Sequence, residues 1–282
     1  MATWTIGNVT VTRIEEQLGF ASRPPEQYLD GFERETLARH LDWLVPHHYS
    51  PAHDRLITSI HSWLIRAGRH TILLDSCAGN HKNRPGFSRY HQLDTPFLQR
   101  LREAGVQPEE IDIVLCTHLH ADHVGWNTML VDGRWVPTFP NAKYLFSRIE
   151  NEIGDPRRNP AADADLQRGG AYRDSVLPVI EAGQAVLVDG DYAIDDILTI
   201  VPAAGHTHGH VAVWLAKSGV RAAPPPRGSR RAQGRVGCHG SSSEPQEGCR
   251  HRSAARRRRA DAYSLGDFLP SPCHSALPIP DA

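Results

Sequence analysis

Residues 117–126 read THLHADHVGW and follow directly on a short apolar run, IDIVLC at 111–116. An apolar run of that length bounded by polar residues fits a buried strand. His118, His120, Asp122 and His123 are therefore set down within six residues at a strand's end. In extended chain, side chains two apart point the same way, so His118 and His120 can grip one cation. Asp122 and His123 diverge from that pair and can face a second. Imidazole and carboxylate are the donor set that zinc favours, and manganese, iron and cobalt accept it as well. Gly125 lets the backbone turn away tightly. A polar loop with coincidental histidines is the plainer reading, and three His and one Asp in six positions weigh heavily against it. A second cluster, AGHTHGHV at 204–211, offers His206, His208 and His210. Alternation alone does not choose among them, but one of the three completing a three-histidine site with His118 and His120 is the economical reading.

The surrounding pattern is that of an α/β layered domain. Residues 4–14 alternate apolar and polar, as a half-buried strand does. HSWLIR at 61–66 and HTILLD at 70–75 flank a turn and predict a hairpin. TPFLQRLREA at 95–104 has helical spacing, with Thr95 as N-cap, Pro96 at the first helical position and Gly105 just past the end. Further strands are expected at 143–146, 185–188, 197–201 and 211–215, and a short helix at 175–182. Trp63, Trp126, Trp135 and Phe139 suit either an apolar pocket or core packing, with packing favoured.

That consistency stops after Lys217. Between Arg221 and Ala262 the only large aliphatic or aromatic residue is Val236, in a stretch otherwise rich in Arg, Pro, Gly, Ser and Ala. Such a segment buries too little apolar surface to offset its ordering entropy and is expected to be disordered. The chain of 282 residues carries 31 Lys+Arg and 32 Asp+Glu, a balance unlike that of a dedicated nucleic-acid binder. Residues 217–282 alone hold 12 Lys+Arg against 5 Asp+Glu. The reading is thus a domain at 1–216 joined to an anomalous tail at 217–282. No apolar run approaches the roughly 20 residues that span a bilayer. The first residues show no signal-peptide pattern, and five cysteines without tight spacing argue against a disulfide scaffold. Cytoplasmic location is the expectation, with Cys77 and Cys116 as buried thiols.

THLHADH matches the HxHxDH signature of the metallo-β-lactamase-fold hydrolases, and GHTHGH matches their GHTxGH motif. ILLDSCAGN at 72–80 is similar to the family's strand ending in Asp. The stretches LLDSCAGNHK, THLHADHVGWNT and FPNAKYLFSR most resemble the branch of acyl-homoserine lactonases and methyl-parathion-hydrolase-like enzymes, over about residues 4–216. The resemblance implies an αββα four-layer sandwich. It assigns His118, His120 and His206 to a first zinc ion, and Asp122 and His123 to a second. Asp75 would orient the loop from behind, His210 would be structural or support the ligands from behind, and His208 is left unassigned. It also implies hydrolysis, since zinc lowers the pKa of bound water from 15.7 to about 7. Asp122 would orient the attacking hydroxide. The expected substrate is a lactone or ester, acyl-homoserine lactone above all, which is quorum-quenching chemistry. Phosphotriesters and β-lactams are alternatives.

The family also has a bridging aspartate about twenty residues after GHTxGH and a later histidine on the second metal. No Asp lies between Asp196 and Asp261, the sequence near 225–231 is PPRGSRR, and His239, His251 and His274 stand in no matching context. A change of reading frame near 217–221 is the hypothesis that accounts for these departures. Sequencing the coding DNA tests it, and an alternative frame without a Gly-Asp motif or further strands would sink it. On this reading the strand at 211–215 is left beside an unprotected edge, and the chain is catalytically impaired or carries one metal. From a different class, HRSAARRRR at 251–259 suggests a nucleic-acid-binding arm, with a solvated charge run as the favoured alternative.

Overall fold

Period-two burial organises the molecule: neighbouring side chains along each central strand are sent to two different cores. The structure, a computed structural model, describes residues 1–29, 31–164, 170–195, 197–215 and 263–264. In chain order the strands before the first histidine loop are β1 (Thr3–Ile6), β2 (Val9–Phe20), β3 (Tyr49–Ser50), β4 (Arg55–Ala67), β5 (His70–Leu74) and β6 (Ile113–Leu115). A hairpin, β7 (Thr128–Val131) and β8 (Arg134–Pro137), follows that loop, and then come β9 (Lys143–Ser147) and β10 (Ala185–Val188). The last strands are β11 (Tyr192–Ile194), β12 (Leu198–Pro202), β13 (Val211–Leu215) and β14 (Tyr263–Ser264).

The larger sheet has the order β1-β2-β4-β5-β6-β9-β10, with β3 paired to β4. Its β5-β6-β9-β10 portion is parallel and the rest antiparallel. The second sheet is β11-β12-β13-β14. Ile72, Leu74, Leu115 and Leu145 point from the larger sheet into a core shared with Leu198, Ile200, Val211, Val213 and Leu215 of the second. Leu73, Val114, Tyr144 and Phe146 point the other way, onto Phe97 and Leu101 of the helix Phe97–Glu103 and Val179 of the helix Leu177–Glu181. Helices, sheet and sheet are therefore three stacked layers of an α/β sandwich. The helical layer expected on the far side of the second sheet falls outside the described residues.

Several expectations shift. The strand read at 4–14 is two strands, because the chain reverses at Gly7 and Asn8 and pairs Trp4 with Val11. Glycine followed by asparagine is itself a hairpin signal. The helix expected from residue 95 begins at Phe97, with Pro96 at the cap position. Thr95 does not cap it; its hydroxyl turns instead to Asn80 Oδ1, 3.1 Å away. The helix at 175–182 is Leu177–Glu181, preceded by a π-helical turn, Tyr172–Val176. β13 is not left bare, since β14 pairs antiparallel with it at Trp214 and Leu215. Apart from β14, the tail and the disorder expected of it lie outside the described residues. Trp126 and Phe139 are buried in the helix-side core, where Trp126 stacks on Phe97 with ring centroids 5.4 Å apart. Cys77 and Cys116 are buried free thiols.

Candidate metal centre

The parallel strands β5 and β6 end side by side, and their C-terminal ends carry the site. Asp75 follows β5, and its amide donates to Leu115 O at 2.8 Å. The Asp75 carboxylate accepts the Thr117 amide at 2.7 Å and the Thr117 hydroxyl at 2.9 Å, and lies 2.9 Å from His123 Nδ1. One carboxylate thus fixes both ends of the histidine loop. After His120 the chain curls into a helical turn, Ala121–Val124, so Asp122 and His123 are aimed by helical backbone rather than by the extended loop expected. Gly125 also differs in its reason. Its backbone is helical, and a Cβ there would sit 1.8 Å from Ala78 O. Close approach of two loops, rather than a turn, is what requires glycine.

Across from this loop, the turn between β12 and β13 brings up the second cluster, tied by Val211 N to Thr117 O at 2.9 Å. His118, His120 and His206 each offer a ligand atom, and these atoms all lie within 4.8 Å of one another. His120 Nδ1 and His206 Nε2 are 3.1 Å apart. His118 Nε2 is buried and finds no hydrogen-bond partner among the described residues. A buried, orphaned imidazole nitrogen facing two more imidazoles is costly unless something accepts its lone pair. A divalent cation does that, and the donor set fits zinc. Burial holds His118 well below the usual histidine pKa, with His123, His120, His210 and His206 adding to the effect, so its lone pair stays available.

His123 lies beside the trio, its ring centroid 4.1 Å from that of His118. Burial opposes its charge, but Asp122 and Asp75 outweigh that and raise its pKa to about 9. Asp122 Oδ2 is 3.6 Å from His123 Nε2 and 3.4 Å from the Tyr90 hydroxyl. His210 sits 4.8 Å from His118, ring to ring, and His208 is exposed. The structure therefore brings His118, His120 and His206 together, sets His123 and Asp122 next to them, and keeps His208 out on the surface.

Three supporting residues carry no motif. Glu150, in the helix Arg148–Gly154, is fully buried and accepts amides from both histidine loops, Leu119 N at 3.3 Å and Gly209 N at 2.9 Å. Glu16 interrupts the β2–β4 register between Glu15 and Gln17, and the bulge sends its carboxylate inward. There it accepts Ala78 N, Gly79 N and Trp126 Nε1 at 2.8, 3.0 and 2.6 Å. Burial raises its pKa in spite of these bonds. Tyr90 is the third. The consecutive Glu15-Glu16-Gln17 in an otherwise alternating strand is a signal that could have marked the bulge; a lone Glu150 or Tyr90 offers none.

A layered α/β sandwich with histidines converging at its strand ends is the architecture of a metal-dependent hydrolase. The family model of the metallo-beta-lactamase superfamily matches residues 56–221, and the chain belongs to that superfamily. Among solved structures it is similar to the hydrolase AbOPH of the beta lactamase superfamily, with 24% identity and a TM-score of 0.60 over 77% of this chain and 70% of that one. A probable metal-dependent hydrolase from Staphylococcus aureus shares 16% identity and a TM-score of 0.58, covering 76% of this chain and 71% of its own. AidC, a dizinc quorum-quenching lactonase, shares 17% identity and a TM-score of 0.54, over 77% and 71%. At these identities the likeness is one of fold. No curated protein matches the chain significantly. Among the described residues no helix is long and apolar enough to cross a membrane.

Proposed function

We propose that the chain hydrolyses a lactone or ester, of the acyl-homoserine lactone type, with zinc held by His118, His120 and His206. The observation that carries the reading is the orphaned, buried Nε2 of His118 facing two further imidazoles within 4.8 Å. Zinc in such a site supplies an acidified water near neutral pH and polarises the target oxygen. The protein's own part begins with Asp75, which fixes Thr117 and the orientation of His123 and so keeps the loop in ligating geometry. Asp122 takes the role of orienting the attacking water and accepting its proton at Oδ2. The Tyr90 hydroxyl, 3.4 Å from that oxygen, places a donor at the same point. AidC's activity as a lactonase supports the substrate class by likeness of fold, as does the lactonase-like sequence around the loops.

Hydrolysis of a lactone, an arylester, a phosphotriester and a β-lactam by the full chain, each with and without chelator, tests this. The expected result is chelator-sensitive turnover with the lactone or arylester leading. A phosphotriester or β-lactam leading would replace the substrate class and keep the chemistry. A second reading, a single-metal or catalytically impaired chain, is favoured by one observation: three imidazole donors lie within 4.8 Å of one another, whereas both nitrogens of His123 already lie against carboxylates, Asp75 Oδ2 at 2.9 Å and Asp122 Oδ2 at 3.6 Å. Catalytic zinc sites use three protein ligands as a rule. The basic segment 251–259 lies outside the described residues. Retention on nucleic acid at low salt that falls steeply as salt rises is the test of an electrostatic arm.

A further inference from the structure

The two histidine loops come from distant parts of the sequence, and a three-imidazole site works only if their separation is held. One buried side chain that belongs to neither loop hydrogen-bonds to both. The helix Arg148–Gly154 starts directly after β9 and carries Glu150 beneath the site, with no exposure to solvent. Its Oε2 accepts the amide of Leu119, which lies between His118 and His120. Its Oε1 accepts the amide of Gly209, three residues beyond His206. Packing enforces the same distance from the other side. A Cβ on Gly209 would meet Glu150 N at 2.7 Å, Ser147 Oγ at 2.8 Å and Glu150 Cγ at 2.9 Å, so the second loop rests on the helix at the closest approach that glycine permits.

We infer that Glu150 is a positioning residue: its carboxylate, shared between Leu119 N and Gly209 N, sets the spacing of His118 and His120 against His206 and with it the affinity for the cation. The inference rests on the metal-hydrolase reading above. Carboxylate is the right group for the task. It presents two acceptor oxygens and no donor, whereas glutamine turns an NH2 towards one of the two amides and leaves that loop without its bond. Groups that orient ligands from behind the first set of contacts change metal affinity by roughly 10- to 100-fold when removed.

The experiment measures zinc affinity of the full chain by competition with a chromophoric chelator, for wild type, Glu150→Gln and Gly209→Ala. Amide exchange at Leu119 and Gly209 is followed in the zinc-free proteins. Both variants are expected to bind zinc roughly 10- to 100-fold more weakly. In Glu150→Gln, protection should fall at one or both of the two amides while helix and sheet amides elsewhere keep theirs. Gly209→Ala reads the same contact should Glu150→Gln fail to fold. Zinc affinity in a folded variant equal to that of wild type overturns the inference. If wild type itself takes up no zinc, the metal reading fails on its own. The exchange data then decide the rest: unchanged protection at both amides in Glu150→Gln removes the coupling too, and a selective loss there keeps it.

Discussion

Lys82 is the side chain whose burial makes the sharpest prediction. Its ammonium is fully buried, donates to Thr128 Oγ1 at 2.7 Å and to Asp174 O at 3.3 Å, and lies 3.4 Å from the centroid of Trp135. Its nearest carboxylate oxygen, Asp174 Oδ1, is 3.8 Å away. That carboxylate is already engaged by Arg84 in two bonds of 2.7 Å. Burial therefore dominates, with Arg84 adding to it and Asp174 opposing, and the Lys82 pKa falls from 10.5 to about 7. In the unfolded chain the lysine keeps its ordinary value. Between pH 7 and about 10 the unfolded state then holds one proton more than the native state, and stability rises with pH. Each pH unit in that window contributes up to about 1.4 kcal/mol, so the gain from pH 7 to pH 9 is about 2 to 3 kcal/mol. Below pH 7 both states carry the proton and this contribution is flat. Other groups titrate in the same range, so the quantity to measure is the difference between wild type and Lys82→Met. Urea unfolding at pH 7, 8 and 9 should show wild type gaining on the variant by that amount. Curves that stay parallel within about 0.5 kcal/mol would refute a neutral, desolvated Lys82.

Other predictions follow from single contacts. Gly125→Ala drives a Cβ to 1.8 Å from Ala78 O and 1.9 Å from its carbon; overpacking of that kind costs about 3 kcal/mol or more, and a thermal midpoint close to wild type would contradict it. Glu16→Leu leaves the buried amides of Ala78 and Gly79 and the Trp126 indole without their acceptor; at about 1 to 3 kcal/mol for each unsatisfied group, the variant should unfold several degrees earlier. Tyr90→Phe removes the hydroxyl 3.4 Å from Asp122 and is expected to lower kcat with metal content unchanged, a split that simultaneous turnover and elemental assays would resolve.

What could be read from the sequence was what is local in it. β13 stands at 211–215 as expected, because its alternation is bounded by a turn and carries its own burial signal. His118, His120 and His206 lie close together, and two short motifs hold all three. Asp75 is legible for a related reason, sitting at the end of an apolar strand. Glu150, Glu16 and Tyr90 escaped because each acts across the fold from a position whose neighbours give no hint of it. Glu16 reaches Trp126 across 110 residues of sequence, and Glu150 reaches Gly209 across 59. Gly125 reads locally as a turn residue but is needed for the passage of the loop at Ala78 and Gly79, a tertiary fact with no local trace.

The central claim is that the three histidines hold a cation, and metal stoichiometry tests it most directly. Elemental analysis of the freshly purified full chain, beside His118→Ala and His206→Ala, should find at least one zinc per chain in the wild type and a loss of that equivalent in both variants. A second equivalent in the wild type would mean that a binuclear site forms, and a single equivalent that it does not. Wild type purified in zinc-supplemented buffer with no bound metal, or variants that retain the full complement, would contradict the claim.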